Sequence, residues 1–216
     1  MLEKEAESLC NAIYLETKAF YEAIADRCEN KGFQILYGPP FVEAPIFFIG
    51  YQPGRGLKSP EEERKYGSED RWPSRCEYVT EDWALAKNMR SMFPQELLER
   101  CVGLNAIFVR SPSVQHYRSH VEGELRREIE AFCLANVGRL VEALRPKLVV
   151  VVGFETLALF GESTPVLRSD KLGRVLTKAA RVAGRPAVGT LHLSGARISR
   201  RDREAIAGHV LAALDL

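Results

Sequence analysis

A chain of 216 residues fills one good core and is short for two, and 46% hydrophobic with 27% charged residues is the make-up of an ordinary soluble globular protein. No apolar run reaches the roughly 18 residues of a membrane span, so no membrane partner is expected. The net charge of +1 conceals a polarised chain: residues 1–30 carry seven acids against three bases, whereas residues 167–203 carry ten bases against two acids. Such a chain can meet a polyanion with its basic face, or can simply be solvated there.

In chain order, Met1–Glu5 is acidic and has no apolar core segment, so it does not read as a secretory signal and a cytoplasmic protein is expected. Leu9, Ile13, Phe20 and Ile24 recur at helical spacing and predict an N-terminal helical segment within residues 1–30. Pro45–Gly50 is the first apolar strand, and the polar, Gly- and Pro-containing stretch 55–80 after it is too long for a routine connection. Further strands come at Cys101–Val109, Lys147–Gly153 and Ala187–Leu193. Helices are predicted from Leu125, Ile129, Phe132, Val137, Leu140 and Leu144, and from Ile206, Val210 and Leu214. The run Leu148–Val152 is apolar without alternation, as in a strand covered on both faces. The expected fold is therefore α/β: a single domain over 1–216, a three-layer αβα sandwich around a central four-stranded parallel sheet.

Ligands of open parallel sheets sit beyond the carboxyl ends of the strands, which directs attention to the residues just past each strand. After the first comes Gly50-Tyr51-Gln52-Pro53-Gly54, which is neither a P-loop nor a dinucleotide fingerprint, and which holds Gln52 at the strand end or serves only as a tight turn. Asn105 interrupts the apolar second strand and is either tied to backbone or presents its amide to a pocket. Arg110-Ser111-Pro112 comes after that strand, and His192 closes the fourth. Ser199 and Asp202 have the spacing of a capping box, which starts a helix near Arg200. Arg200, Arg201 and Arg203 then crowd its first turn against the helix dipole, at roughly 0.3–1 kcal/mol each, as if an anion docked there.

Four stretches together resemble the uracil-DNA glycosylase superfamily: GYQPG after the first strand, LNAIFVRSP around the second, LRPKLVVVVGFETL at 144–157 and HLSGARIS at the end, in order over roughly residues 44–214. The resemblance implies a DNA glycosylase that hydrolyses the N-glycosidic bond of uracil or a related deaminated base, acting as a monomer on damaged DNA without a cofactor. It places Gln52 at the water-positioning station, with Gly50, Tyr51, Pro53 and Gly54 around the base, Asn105 pairing with the flipped uracil and His192 stabilising the charge on its oxygen. Tyr78, or second Trp72, would stack on the base. Ser194, Gly195, Ala196, Arg197 and Ile198 would form the loop that wedges into the duplex, with Arg200 and Arg201 near the phosphates.

Two departures bear on activity. Gln52 stands where the family has Asp or Asn, and an amide orients water but cannot act as a base. Leu193 and Gly195 replace two prolines of the last motif. A non-catalytic nucleic-acid or base-binding member of the same fold, and an enzyme acting on free nucleosides, are the other classes to weigh. The five scattered cysteines form no C-x-x-C pair, which predicts reduced thiols and no cluster, and His116, His120 and Glu124 at four-residue intervals are not expected to bind a metal.

Overall fold

The computed structural model describes residues 3–28, 32–54, 71–194 and 197–215. Helix α1 (Glu3–Ile24) leads to strand β1 (Ile46–Gly50), then to short helices α2 (Glu77–Thr80), α3 (Ala84–Met92) and α4 (Gln95–Glu99). Strand β2 (Val102–Asn105), helices α5 (Val114–His120) and α6 (Gly123–Leu144), strand β3 (Leu148–Val152) and helix α7 (Phe154–Leu157) come next. Strands β4 (Thr164–Arg168), β5 (Val175–Val182) and β6 (Arg185–Thr190) lead into α8 (Arg200–Leu214).

The strands form one six-stranded sheet in the order β2-β1-β3-β6-β5-β4. The four apolar segments expected from the sequence are its contiguous parallel part, and β5 and β4 extend it antiparallel. This corrects the expected four-stranded sheet. β5 mixes buried positions (Leu176, Thr177, Val182) with half-buried and exposed ones and carries Lys178 and Arg181, so its pattern merges with the basic surface around it. Ala183 and Gly184, at φ 45° and 76°, form the two-residue turn that joins it to β6.

Period-two alternation divides each central strand between two cores. Phe47, Ile49, Val149 and Val151 pack on one side with Cys10, Ile13 and Tyr21 of α1 and Leu125, Ile129 and Val137 of α6. Ile46, Phe48, Leu148, Val150 and Val152 pack on the other with Ala86 and Met89 of α3 and Ile206 and Val210 of α8. A sheet covered by helices on both faces accounts for the uninterrupted apolar run of β3, each of whose valines contributes about 1.5–3 kcal/mol on burial. The buried stripe of α1 runs Ala6, Cys10, Ile13, Thr17, Tyr21 and Ile24, while Phe20 sits at its edge and stacks on Phe132 of α6 at 4.1 Å. No helix among the described residues is long and apolar enough to cross a membrane.

The chain steps from β1 to β2 on one side of the sheet and returns to β3 on the other, so the crevice beyond the carboxyl end of β1 is a topological switch point. Part of the long polar stretch, 71–80, packs over this crevice. Its last residues form α2 rather than loop, tied to the preceding segment by Glu77 N–H donating to the Tyr37 carbonyl at 2.7 Å. A single helical turn is too short to show periodicity in a sequence.

Candidate active site

At that switch point lies a cavity of about 750 Å³, within the range of small-molecule sites. Its wall takes Gly50, Tyr51, Gln52 and Gly54 from the end of β1, Asn105 and Arg110–Val114 from the end of β2 and beyond, Val152 from β3, and His192 and Ser194 from beyond β6. Gln52, Asn105 and His192, distant in the chain, thus line one space. Parallel pairing produces the convergence: it sets Gly50 beside Asn105 and Val152 beside Thr190 at one edge of the sheet.

Asn105 is 2% exposed, and its Nδ2 donates to the Tyr37 hydroxyl at 2.6 Å. Its Oδ1 lies against Gly50, where a β-carbon would stand only 2.7 Å away. Gly50 is thus the residue that lets the amide close onto β1. One amide hydrogen is spent on Tyr37, and the other, with Oδ1, is the part of Asn105 that a ligand would meet.

Gln52 is fixed from the opposite end. Its Nε2 donates to the Ser111 carbonyl at 3.1 Å, while Oε1 is buried with no hydrogen-bond partner among the described residues. An orphaned buried acceptor at a cavity wall costs about 1–3 kcal/mol unless water or ligand fills it. This amide is therefore oriented as a water acceptor and has no basicity to go with it.

His192 stands at the mouth, exposed, with Nδ1 3.2 Å from Ser194 Oγ and the ring laid against Gly153. Gly153 has φ 102°, a conformation few other residues adopt. The surrounding wall desolvates the imidazole and holds its pKa below 6.5, partly offset by the Glu155 carboxylate. The folded state thus favours the neutral ring. Stability linked to this group is complete above pH 6.5 and is lost as pH falls through the folded value. An NMR titration is expected to give His192 a midpoint below 6.5, and Glu155→Gln is expected to lower it further; an upward move would contradict this balance.

The aromatic and loop candidates divide. Tyr78 borders the cavity but is 0% exposed, with its ring edge-on to Phe48 and tilted against Tyr37 and Trp83. Trp72 borders a neighbouring cavity of about 570 Å³. Pro53 is buried outside the cavity wall and accepts a hydrogen bond from the Ser111 N–H at 3.3 Å. Ser194 is on the rim, Gly195 and Ala196 lie outside the described residues, Arg197 is exposed, and Ile198 turns inward to the second core.

No family model matches the chain, and no curated protein matches its sequence.

At the start of α8 the expected cap is present, with Ser199 Oγ accepting from Asp202 N–H at 3.1 Å. Two of its three cations have protein partners, Arg200 with Glu204 at 2.9 Å and Arg201 with Asp170 at 2.8 Å, while Arg203 Nε is buried with no hydrogen-bond partner among the described residues. Carboxylates offset the dipole cost of the two paired cations, and the exposed pairs leave these arginines available to a polyanion only by exchange.

Sequence reasoning missed a buried polar chain along the same wall. Arg110, 7% exposed, donates from Nη2 to Gln34 Oε1 at 2.6 Å and from Nη1 to the Gly54 carbonyl at 3.3 Å. Gln34 Nε2 then donates to Glu77 Oε2 at 3.2 Å. Arg110 carried a signal, since it comes directly after the second apolar segment. Gln34 and Glu77 lie in polar, aperiodic stretches and carried none.

Proposed function

We propose that the protein is a DNA base-excision glycosylase acting on uracil or a related deaminated base. The observation that carries the proposal is the meeting of Gln52, Asn105 and His192 around one cavity at the sheet's switch point. Their types suit the reaction. Chemistry on a stacked base requires its extrusion into a pocket that reads its edge. Asn105 supplies both an acceptor and a donor, which suits an amide-like base such as uracil. Rupture of the C1′–N bond leaves an oxocarbenium-like sugar and an anionic base. His192, a neutral donor lining the same cavity, would stabilise that anion's oxygen, and Gln52 Oε1 would orient the water.

Retention without hydrolysis is a second reading, favoured by one observation: the water station is an amide held by Ser111, with no basic group of its own. One experiment separates the two. A labelled uracil-containing oligonucleotide, single- or double-stranded, is incubated with the protein and heated in alkali. Scission at the uracil is the expected result. Binding by gel shift with no scission would replace the glycosylase with a base reader. Turnover of free uridine or deoxyuridine without action on the oligonucleotide would instead mark a nucleoside enzyme.

A further inference from the structure

Hydrolysis at C1′ needs a group to accept the proton of the attacking water, and the Gln52 amide cannot take it. Resting on the glycosylase proposal above, we infer that Glu77 is the carboxylate that does. Among the described residues lining the cavity, the carboxylates are Glu77 and Glu81. Both also border the neighbouring cavity, but Glu81 is only half-buried, whereas Glu77 is 4% exposed and held in place.

The hold is a continuous chain of hydrogen bonds. Glu77 Oε2 accepts from Gln34, Gln34 Oε1 accepts from Arg110, and Arg110 also grips the Gly54 carbonyl, two residues beyond Gln52. Gln52 itself is fixed to the carbonyl of Ser111, the residue after Arg110. The water-orienting amide and the carboxylate are therefore parts of one framework rather than two independently mobile groups. The charges at its ends also decide the Gln34 amide orientation, oxygen toward guanidinium and nitrogen toward carboxylate.

A purely structural role is the competing account. It explains why Glu77 is paired but not why a charge is kept at the cavity wall, because apolar side chains of similar volume commonly stabilise a fold as well as a buried ion pair does. In the reaction, the C1′–N bond breaks with its electron pair going to the base. The water oxygen then bonds to C1′ and a water proton passes to Glu77. That proton leaves to solvent or to the base anion, so atoms and charge balance with water as the sole co-substrate. The negative carboxylate also favours the developing sugar cation.

The test uses the full chain and single-turnover scission of a uracil oligonucleotide. Glu77→Gln keeps shape and most hydrogen bonds but removes proton acceptance, so the rate is expected to fall by roughly 10²–10⁴-fold, with oligonucleotide affinity within about threefold. The wild-type rate should fall on the acid side of its pH profile as the carboxylate takes up a proton, and that limb should be lost in the variant. Cys76, Tyr37, Tyr78 and Glu81 lie beside Glu77 and Arg110 reaches it through Gln34, so Glu81→Gln serves as the control and should retain the acid decline. A Glu77→Gln rate within about fivefold of wild type, or an unchanged acid decline, overturns the assignment while leaving the glycosylase intact. Should that variant not fold, a wild-type rate with no acid limb at any pH where the protein stays folded overturns it equally. No scission by wild type under any condition overturns the glycosylase proposal, and this role with it.

Discussion

Replacing Arg110 by methionine is expected to destabilise the fold by about 3–5 kcal/mol, the largest single-residue effect anticipated in the molecule. Methionine retains volume and apolar contact but removes the cation that Gln34 links to the buried Glu77. It also releases the Gly54 carbonyl and with it the turn that carries Gln52. Removing the cation of a buried polar network leaves the groups it served desolvated, which costs more than the network's net contribution. Urea denaturation of wild type, Arg110→Met, Glu77→Gln and the double variant measures this directly. The double variant should lose clearly less than the sum of the two singles, because the residues act through one bridge. A loss below about 1 kcal/mol for Arg110→Met would place the guanidinium in water-like surroundings and dissolve the framework proposed above.

The largest expected effect on activity at the rim is that of His192→Ala, a fall of about 10²-fold or more in single-turnover scission with folding stability unchanged. The ring is exposed and lies beside Gly153, so its removal leaves no sizeable hole. Its value lies in a donor aimed at developing charge. With the pKa held below 6.5 the ring is neutral at pH 7, and Ser194 donating to Nδ1 would leave Nε2–H as that donor. Ser194→Ala should accordingly cost only a few-fold, since it alters the tautomer balance and not the donor itself. A His192→Ala rate within a factor of a few of wild type would remove the imidazole from the chemistry.

The parts of this molecule legible in the sequence are those where burial leaves one pattern only. β3 is buried on both faces and reads as a strand from its five apolar residues. Asn105 stands out because a polar residue within such a run must have a hydrogen-bonding reason. β5 did not stand out, since a strand bearing Lys178 on one face and Arg181 on the other has the composition of a basic surface. The turn at Ala183-Gly184 was its one local mark. Two of the arginines at the start of α8 have partners that their crowding in the sequence did not show: Glu204 meets Arg200 through helical spacing and Asp170 meets Arg201 through tertiary contact.

At the site, Gln52 and His192 were legible because strand ends in parallel sheets collect function. The Arg110–Gln34–Glu77 chain was not, because its members lie up to 76 residues apart and two of them have no periodic context. Tyr78 shows the same limit in reverse. An aromatic residue in a long polar stretch looked available for stacking, whereas its ring is packed among Phe48, Tyr37 and Trp83. Leu193 and Ile198, on either side of the candidate wedge residues, are both buried in the second core.

The central claim is that one space admits one base between Gln52, Asn105 and His192. Titration of labelled protein with free uracil, followed through the side-chain amide resonances of Gln52 and Asn105 and the imidazole of His192, measures it most directly. All three should shift along one saturation curve, and Asn105→Leu should abolish the shifts at the other two. Shifts at only one of the three, or none at saturating uracil, would contradict the account.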